Sequence, residues 1–132
     1  MLTVLPIQSK SEQETACARC SVPFHADDLA YVAEVDNTLV GICQFHLGKN
    51  GGVITEFAPC LADGREADNE ALFIMARGCL NFIDLCGVHK AFFDASFHDS
   101  ALIHAIGFRK NKEDRWEMDL TDFFDHPCKH KN

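Results

Sequence analysis

The segment Asn69–Cys86 constrains the fold more than any other stretch of this 132-residue chain. Its apolar residues Leu72, Ile74, Met75, Leu80, Phe82, Ile83 and Leu85 leave polar groups mainly at Glu70, Arg77, Asn81 and Asp84. Those four share one narrow face at helical spacing. A helix with a single polar stripe must be covered on its other sides, so the pattern predicts a largely buried helix packed on another layer. Asp68 is placed to cap its start and Gly87 to end it.

Around this helix the chain reads as short strands and helices. Leu2–Ile7 predicts an opening strand, and Ser11–Cys20 a helix with Ser11 as N-cap and Glu14 at capping-box spacing. Residues 30–35 and 38–47 read as strands joined by Asp36-Asn37, a dipeptide suited to a tight hairpin. A third run, Val53–Ala58, stops at Pro59. After the long helix come a strand at 88–94, a short helix at 99–106 closed by Gly107, and a last strand at 115–120. The order β-α-β-β-β-α-β-α-β predicts an α/β fold, a mixed central sheet with helices on both faces. Its strands flanking the long helix should be parallel, because a crossover of that length requires it.

With no repeat or linker to divide it, the chain is read as one domain. Residues 1–29 form an N-terminal strand and helix, 30–120 the body, and 121–132 a C-terminal tail. Twelve Lys and Arg against twenty Asp and Glu give a net charge of −8. That sign disfavours nucleic acid and anionic membrane as partners. The start, MLTVLPIQSKSEQE, has neither the basic region nor the apolar core of a signal peptide. Seven cysteines, an odd number, argue for reduced thiols. The expectation is a cytoplasmic protein.

Three segments together resemble the GNAT superfamily of acyl-CoA-dependent N-acetyltransferases. AEVDNTLVGICQF is similar to that family's second and third strands, and ALFIMARGCLNFIDLCGVHKAFFDA to its central helix and fifth strand. SALIHAIGFRK is similar to its fourth helix with the Gly-Phe exit, here Gly107-Phe108. The resemblance covers roughly residues 30–120. It implies acyl transfer from acetyl-CoA, as co-substrate, to a small-molecule or other amine. It further implies Glu56 as the general base, the backbone of Phe57 and Ala58 as the contact for pantetheine, and the start of the central helix as the seat of the pyrophosphate.

Two positions depart from the family pattern. The family's glycine-rich pyrophosphate loop is replaced by ADGREADNEALF, where Asp63, Glu66, Asp68 and Glu70 face one cation, Arg65, a net of −3. A like-charge pair at ~4 Å costs about 1 kcal/mol in water and about 4 near a protein surface. The same carboxylates also complement a helix dipole. The position at which many members carry a proton-donating tyrosine is Ile103, and His104 beside it is turned about 100° around the helix.

Cys17-Ala-Arg-Cys20 has the spacing of half a zinc site or of a redox dithiol, with His126, Cys128 and His130 in the tail as further ligands. The tail spacing matches no common zinc motif, and residues three apart on a helix also pair through packing. No metal site is assigned. Eleven phenylalanines read first as core, with a pocket or dimer contact as the alternative, and homodimerisation is one way to cover the sheet edges. Two functional classes follow: an N-acetyltransferase, or a catalytically silent relative that binds another small molecule or a protein partner.

Overall fold

The computed structural model describes residues 1–124. In chain order the elements are β1 (Leu2–Pro6), α1 (Lys10–Arg19), β2 (Leu29–Val35), β3 (Thr38–Gly48) and β4 (Gly51–Pro59). A 3-10 turn at Ala62–Gly64 leads to α2 (Asn69–Leu85), β5 (Lys90–Phe93), α3 (Ser100–Ile106), β6 (Arg109–Lys110) and β7 (Trp116–Asp119). The strands form one sheet in the order β1-β2-β3-β4-β5-β7-β6. Among the described residues its one parallel pair, β4–β5, is the pair that α2 connects. The chain is thus a single-domain α/β fold with a mixed sheet, as its pattern predicts.

Local corrections have local causes. The cap of α1 is Ser9 rather than Ser11: Ser9 is extended and its side chain accepts from the Glu12 N–H, whereas the Ser11 hydroxyl is engaged with that of Ser9. Strand β6 is only two residues long and exposed, too short to show a hydropathy period. The Asp36-Asn37 turn forms as expected, both residues having positive φ (50° and 66°), as a two-residue hairpin with the strands' own twist requires.

Helix α2 lies on one sheet face and buries Ala71, Leu72, Met75, Ala76, Cys79, Leu80 and Ile83. Ile74 and Leu85 stay exposed, so the covered stripe is narrower than the apolar count predicts and relies on small residues. Gly41 on β3 permits this approach, since a Cβ there would sit 2.7 Å from Leu72 Cδ2. Helix α1 covers the opposite face over Val32, Leu39, Ile42 and Cys60, contributing Ala16 and Cys17, with Cys20 at its C-cap joining them.

One irregularity in β4 shapes everything that follows. Gln44 is opposite Glu56 and Phe45 opposite Ile54, which leaves Thr55 as an extra residue. Such a bulge shifts the alternation of side chains by one. Ile54 and Phe57, three residues apart, both enter the α2-side core, while Thr55 and Glu56 both reach partners from the segment after α1.

Candidate active site

Strands β4 and β5 pair only where Gly52–Ile54 meets Ala91–Phe93. The Asp94 N–H donates to the Ile54 carbonyl at 2.9 Å and closes the ladder. Beyond this point the two chains are unpaired, and a cleft of about 400 Å³ lies between Glu56–Pro59 on one wall and Ser96–His98 on the other, with Cys20–Pro23 as a third.

The backbone of β4 meets this cleft unevenly. The Cys60 N–H donates to the Val40 carbonyl at 2.8 Å, toward β3. Amides alternate sides along a strand, so Ala58 also faces β3, while the N–H and C=O of Phe57 turn toward the cleft. Pro59 has the Phe57 orientation but no N–H to offer. Of the two residues expected to meet pantetheine, Phe57 therefore presents its amide, and Ala58 contributes to the wall. The Phe57 ring is buried, and the Phe97 ring stands edge-on to it at 5.0 Å and 6.4 Å from Phe93, filling the inner end of the gap with aromatic surface.

Glu56 stands on the cleft wall with its side chain 17% exposed and shares a 2.9 Å hydrogen bond between Oε2 and Nε2 of His25, which is 41% exposed. His25 is held by a polar network that replaces regular structure between α1 and β2. Gln44 Oε1 accepts from the His25 N–H and from Gln13 Nε2, both at 2.9 Å, and Gln44 Nε2 donates to the Pro23 carbonyl at 2.7 Å. Gln13 and Gln44 are 2% and 0% exposed. Lys10 bonds Gln13 and the Asp28 carbonyl, and Asp28 bonds Thr55 and His46. Among the described residues no buried side-chain polar atom lacks a partner. His25 and its glutamine supports were not legible as a site. Their one signal is Gln44, a lone amide in the apolar run Val-Gly-Ile-Cys-Gln-Phe.

Cys20 borders the cleft and Cys17 lies near it, but both are buried. Burial, then the negative charge of Glu56 and Glu14, pushes the Cys17 thiol up to about 11, and burial followed by Cys60 raises Cys20 in the same direction. Protonated thiols are poor metal ligands and poor nucleophiles. No three His, Cys, Asp or Glu side chains among the described residues converge as a metal site. The tail residues His126, Cys128 and His130 lie outside the described residues. Ile103 is in the core and His104 is exposed, so neither reaches the cleft wall.

Where β4 leads into α2, Asp68 caps the helix by accepting from the Ala71 N–H at 3.0 Å. Arg65, the one cation of the segment, is spent on the Leu39 carbonyl and Asp63. The two regions differ in character: the cleft offers an amide and an apolar wall, and the helix start offers carboxylates.

No protein-family model matches the chain, and no curated protein matches it in sequence. Solved structures do match. The ribosomal-protein-S18-alanine N-acetyltransferase of Escherichia coli superposes with a TM-score of 0.66 at 9% identity, over 91% of this chain and 94% of that one. An acetyltransferase of Bacillus subtilis in complex with CoA gives 0.65 at 12% identity, over 91% and 99%. The IAA acetyltransferase of Bacillus cereus gives 0.61 at 15%, over 91% and 100%. These likenesses are of backbone rather than sequence, and the fold they share with this chain is that of the GNAT N-acetyltransferases.

Proposed function

We propose that the protein transfers an acyl group from a pantetheine thioester such as acetyl-CoA to an amine acceptor in the cytoplasm. One observation carries this: the β4–β5 ladder ends at Ile54, and the freed Phe57 amide shares a cleft with the Glu56 carboxylate. A donor arm lying along β4 pairs with the Phe57 N–H and C=O. The amine nitrogen attacks the thioester carbonyl, a C–N bond forms, the C–S bond breaks, and Glu56 takes the proton that the nitrogen loses. The thiolate leaves through the open side and is protonated by solvent. His25 fixes the carboxylate orientation. Among the described residues, the free cysteines at 17, 20, 43, 60, 79 and 86 suit a reducing compartment.

The second reading, a silent relative that binds another small molecule or a protein, draws on Ile103, which has no proton for a leaving thiolate, and on Phe97, whose ring narrows the cleft. Thiol release from acetyl-CoA and from acetyl-pantetheine, followed with a panel of primary amines, separates the two. The active reading expects amine-dependent release that Glu56→Gln lowers by roughly 10²–10⁴-fold. Release no faster than uncatalysed hydrolysis with every amine at millimolar donor leaves the silent reading.

A further inference from the structure

We infer that this protein recognises its donor through the pantetheine thioester arm alone, and that the nucleotide end of coenzyme A weakens binding rather than strengthening it. The inference rests on the acyl-transfer reading and specifies the donor class for the same cleft.

Chain connectivity sets the geometry. Strand β4 supplies the cleft wall, and the nine residues from Cys60 to Asp68 carry the chain from its end to the start of α2. A donor extended along β4 toward that helix brings its diphosphate to the segment Asp63–Glu70. A helix start binds phosphate when its N–H groups are free and its surroundings are neutral or positive. Here the first condition is met only in part and the second fails, by independent observations. The Asp68 carboxylate already accepts from the Ala71 N–H, which leaves only the first two helical N–H groups, of Asn69 and Glu70, for a phosphate. Arg65 is turned to the Leu39 carbonyl and to Asp63, and the balance of the segment is −3.

The neighbouring surface does not relieve this charge. The groove between this segment and the β2–β3 turn is lined by Asp36, Glu66 and Asp68 with Arg65 as its one cation. The Met1 ammonium is paired with Asp36 and neutralises that one carboxylate. The amide and apolar wall at Phe57 suit an uncharged arm with amide groups, so the two ends of the site select in opposite senses.

Calorimetric titration of the full chain with acetyl-pantetheine and with acetyl-CoA tests this at 20 and 200 mM salt. We expect acetyl-pantetheine to bind as tightly as acetyl-CoA or tighter at low salt, and acetyl-CoA alone to gain affinity as salt screens the carboxylates. A variant carrying Asp63→Asn, Glu66→Gln, Asp68→Asn and Glu70→Gln keeps a side chain that caps α2. It should bind acetyl-CoA about tenfold tighter, equivalent to about 1.4 kcal/mol, with acetyl-pantetheine unchanged. Acetyl-CoA binding tenfold tighter than acetyl-pantetheine in the natural sequence overturns the inference and leaves the acyl-transfer reading intact. An equal response of both donors to the four substitutions also overturns it. Binding of neither donor removes the acyl-transfer reading itself, and the inference with it.

Discussion

Gln44 shows how much one side chain can hold. Its amide joins β3 to α1 through Gln13 and to the segment before β2 through His25 and Pro23, with no exposure to water. Gln44→Met keeps the volume and removes the amide, leaving the His25 N–H, the Pro23 carbonyl and the Gln13 amide short of partners. Each buried group left unpaired costs about 1–3 kcal/mol. Allowing for relaxation, urea unfolding should show a loss of about 2–4 kcal/mol. Gln13→Met should cost markedly less in the Gln44→Met background than alone, because the two amides share a bond; strict additivity would refute the network. Cys17 makes a different test. Its thiol is pushed from 9.0 in the unfolded chain to about 11 in the fold. The unfolded chain therefore loses this proton first, and the stability it contributes is complete below pH 9 and is lost as pH rises toward 11. Thermal midpoints between pH 8 and 10.5 should fall with a shallower slope in Cys17→Ala than in the natural sequence; identical slopes would show that Cys17 takes no part.

At the scale of elements, the close seating of α2 on the sheet is the feature to test. Gly41→Val places carbon where Leu72 Cδ2, Met75 Cε and the Ala58 carbonyl already are, at 2.7–3.3 Å from the first added atom. Overpacking of this kind costs about 1–3 kcal/mol. Leu72→Ala should recover part of that loss in the double variant, and denaturant unfolding of the four-member cycle measures it. The elements themselves were legible because long patterns repeat their information. The stripe of α2 is stated several times over in its length, and the Asp36-Asn37 turn is stated by chemistry that few other turns tolerate. What was not legible depends on single-residue offsets or on contacts between distant parts of the chain. The Thr55 bulge has no hydropathy signature, yet it decides which way Glu56 points. The site partners at 13, 25, 44 and 56 lie 12, 19 and 12 residues apart and acquire meaning only once β3 has brought them together. Glu56 is a candidate through the family resemblance, whereas its partner His25 is singled out by neither that resemblance nor the hydropathy pattern.

For the whole molecule the controlling quantity is charge. A net −8 is confined on folding to a radius of gyration of about 14 Å, against roughly 37 Å for the unfolded chain. The folded state therefore carries the larger self-repulsion. Working against this are ion pairs such as Lys110–Asp114 and Arg115–Asp94, which salt weakens. They are largely exposed, and exposed pairs contribute about 0–1 kcal/mol each at most. With a Debye length of about 10 Å at 0.1 M and 30 Å at 0.01 M, moderate salt screens repulsion across the whole domain while pairs in contact keep most of their attraction. Repulsion should dominate. Raising sodium chloride from 10 to 150 mM at pH 7 is expected to increase the thermal midpoint, by about 3–5 °C for each kcal/mol recovered. The four-substitution variant at the start of α2 should gain less from salt, because its self-repulsion is already smaller. A midpoint that falls with salt in both proteins would instead mean that paired charges outweigh the net field, and the repulsion assigned to the helix start would then need a purely local origin.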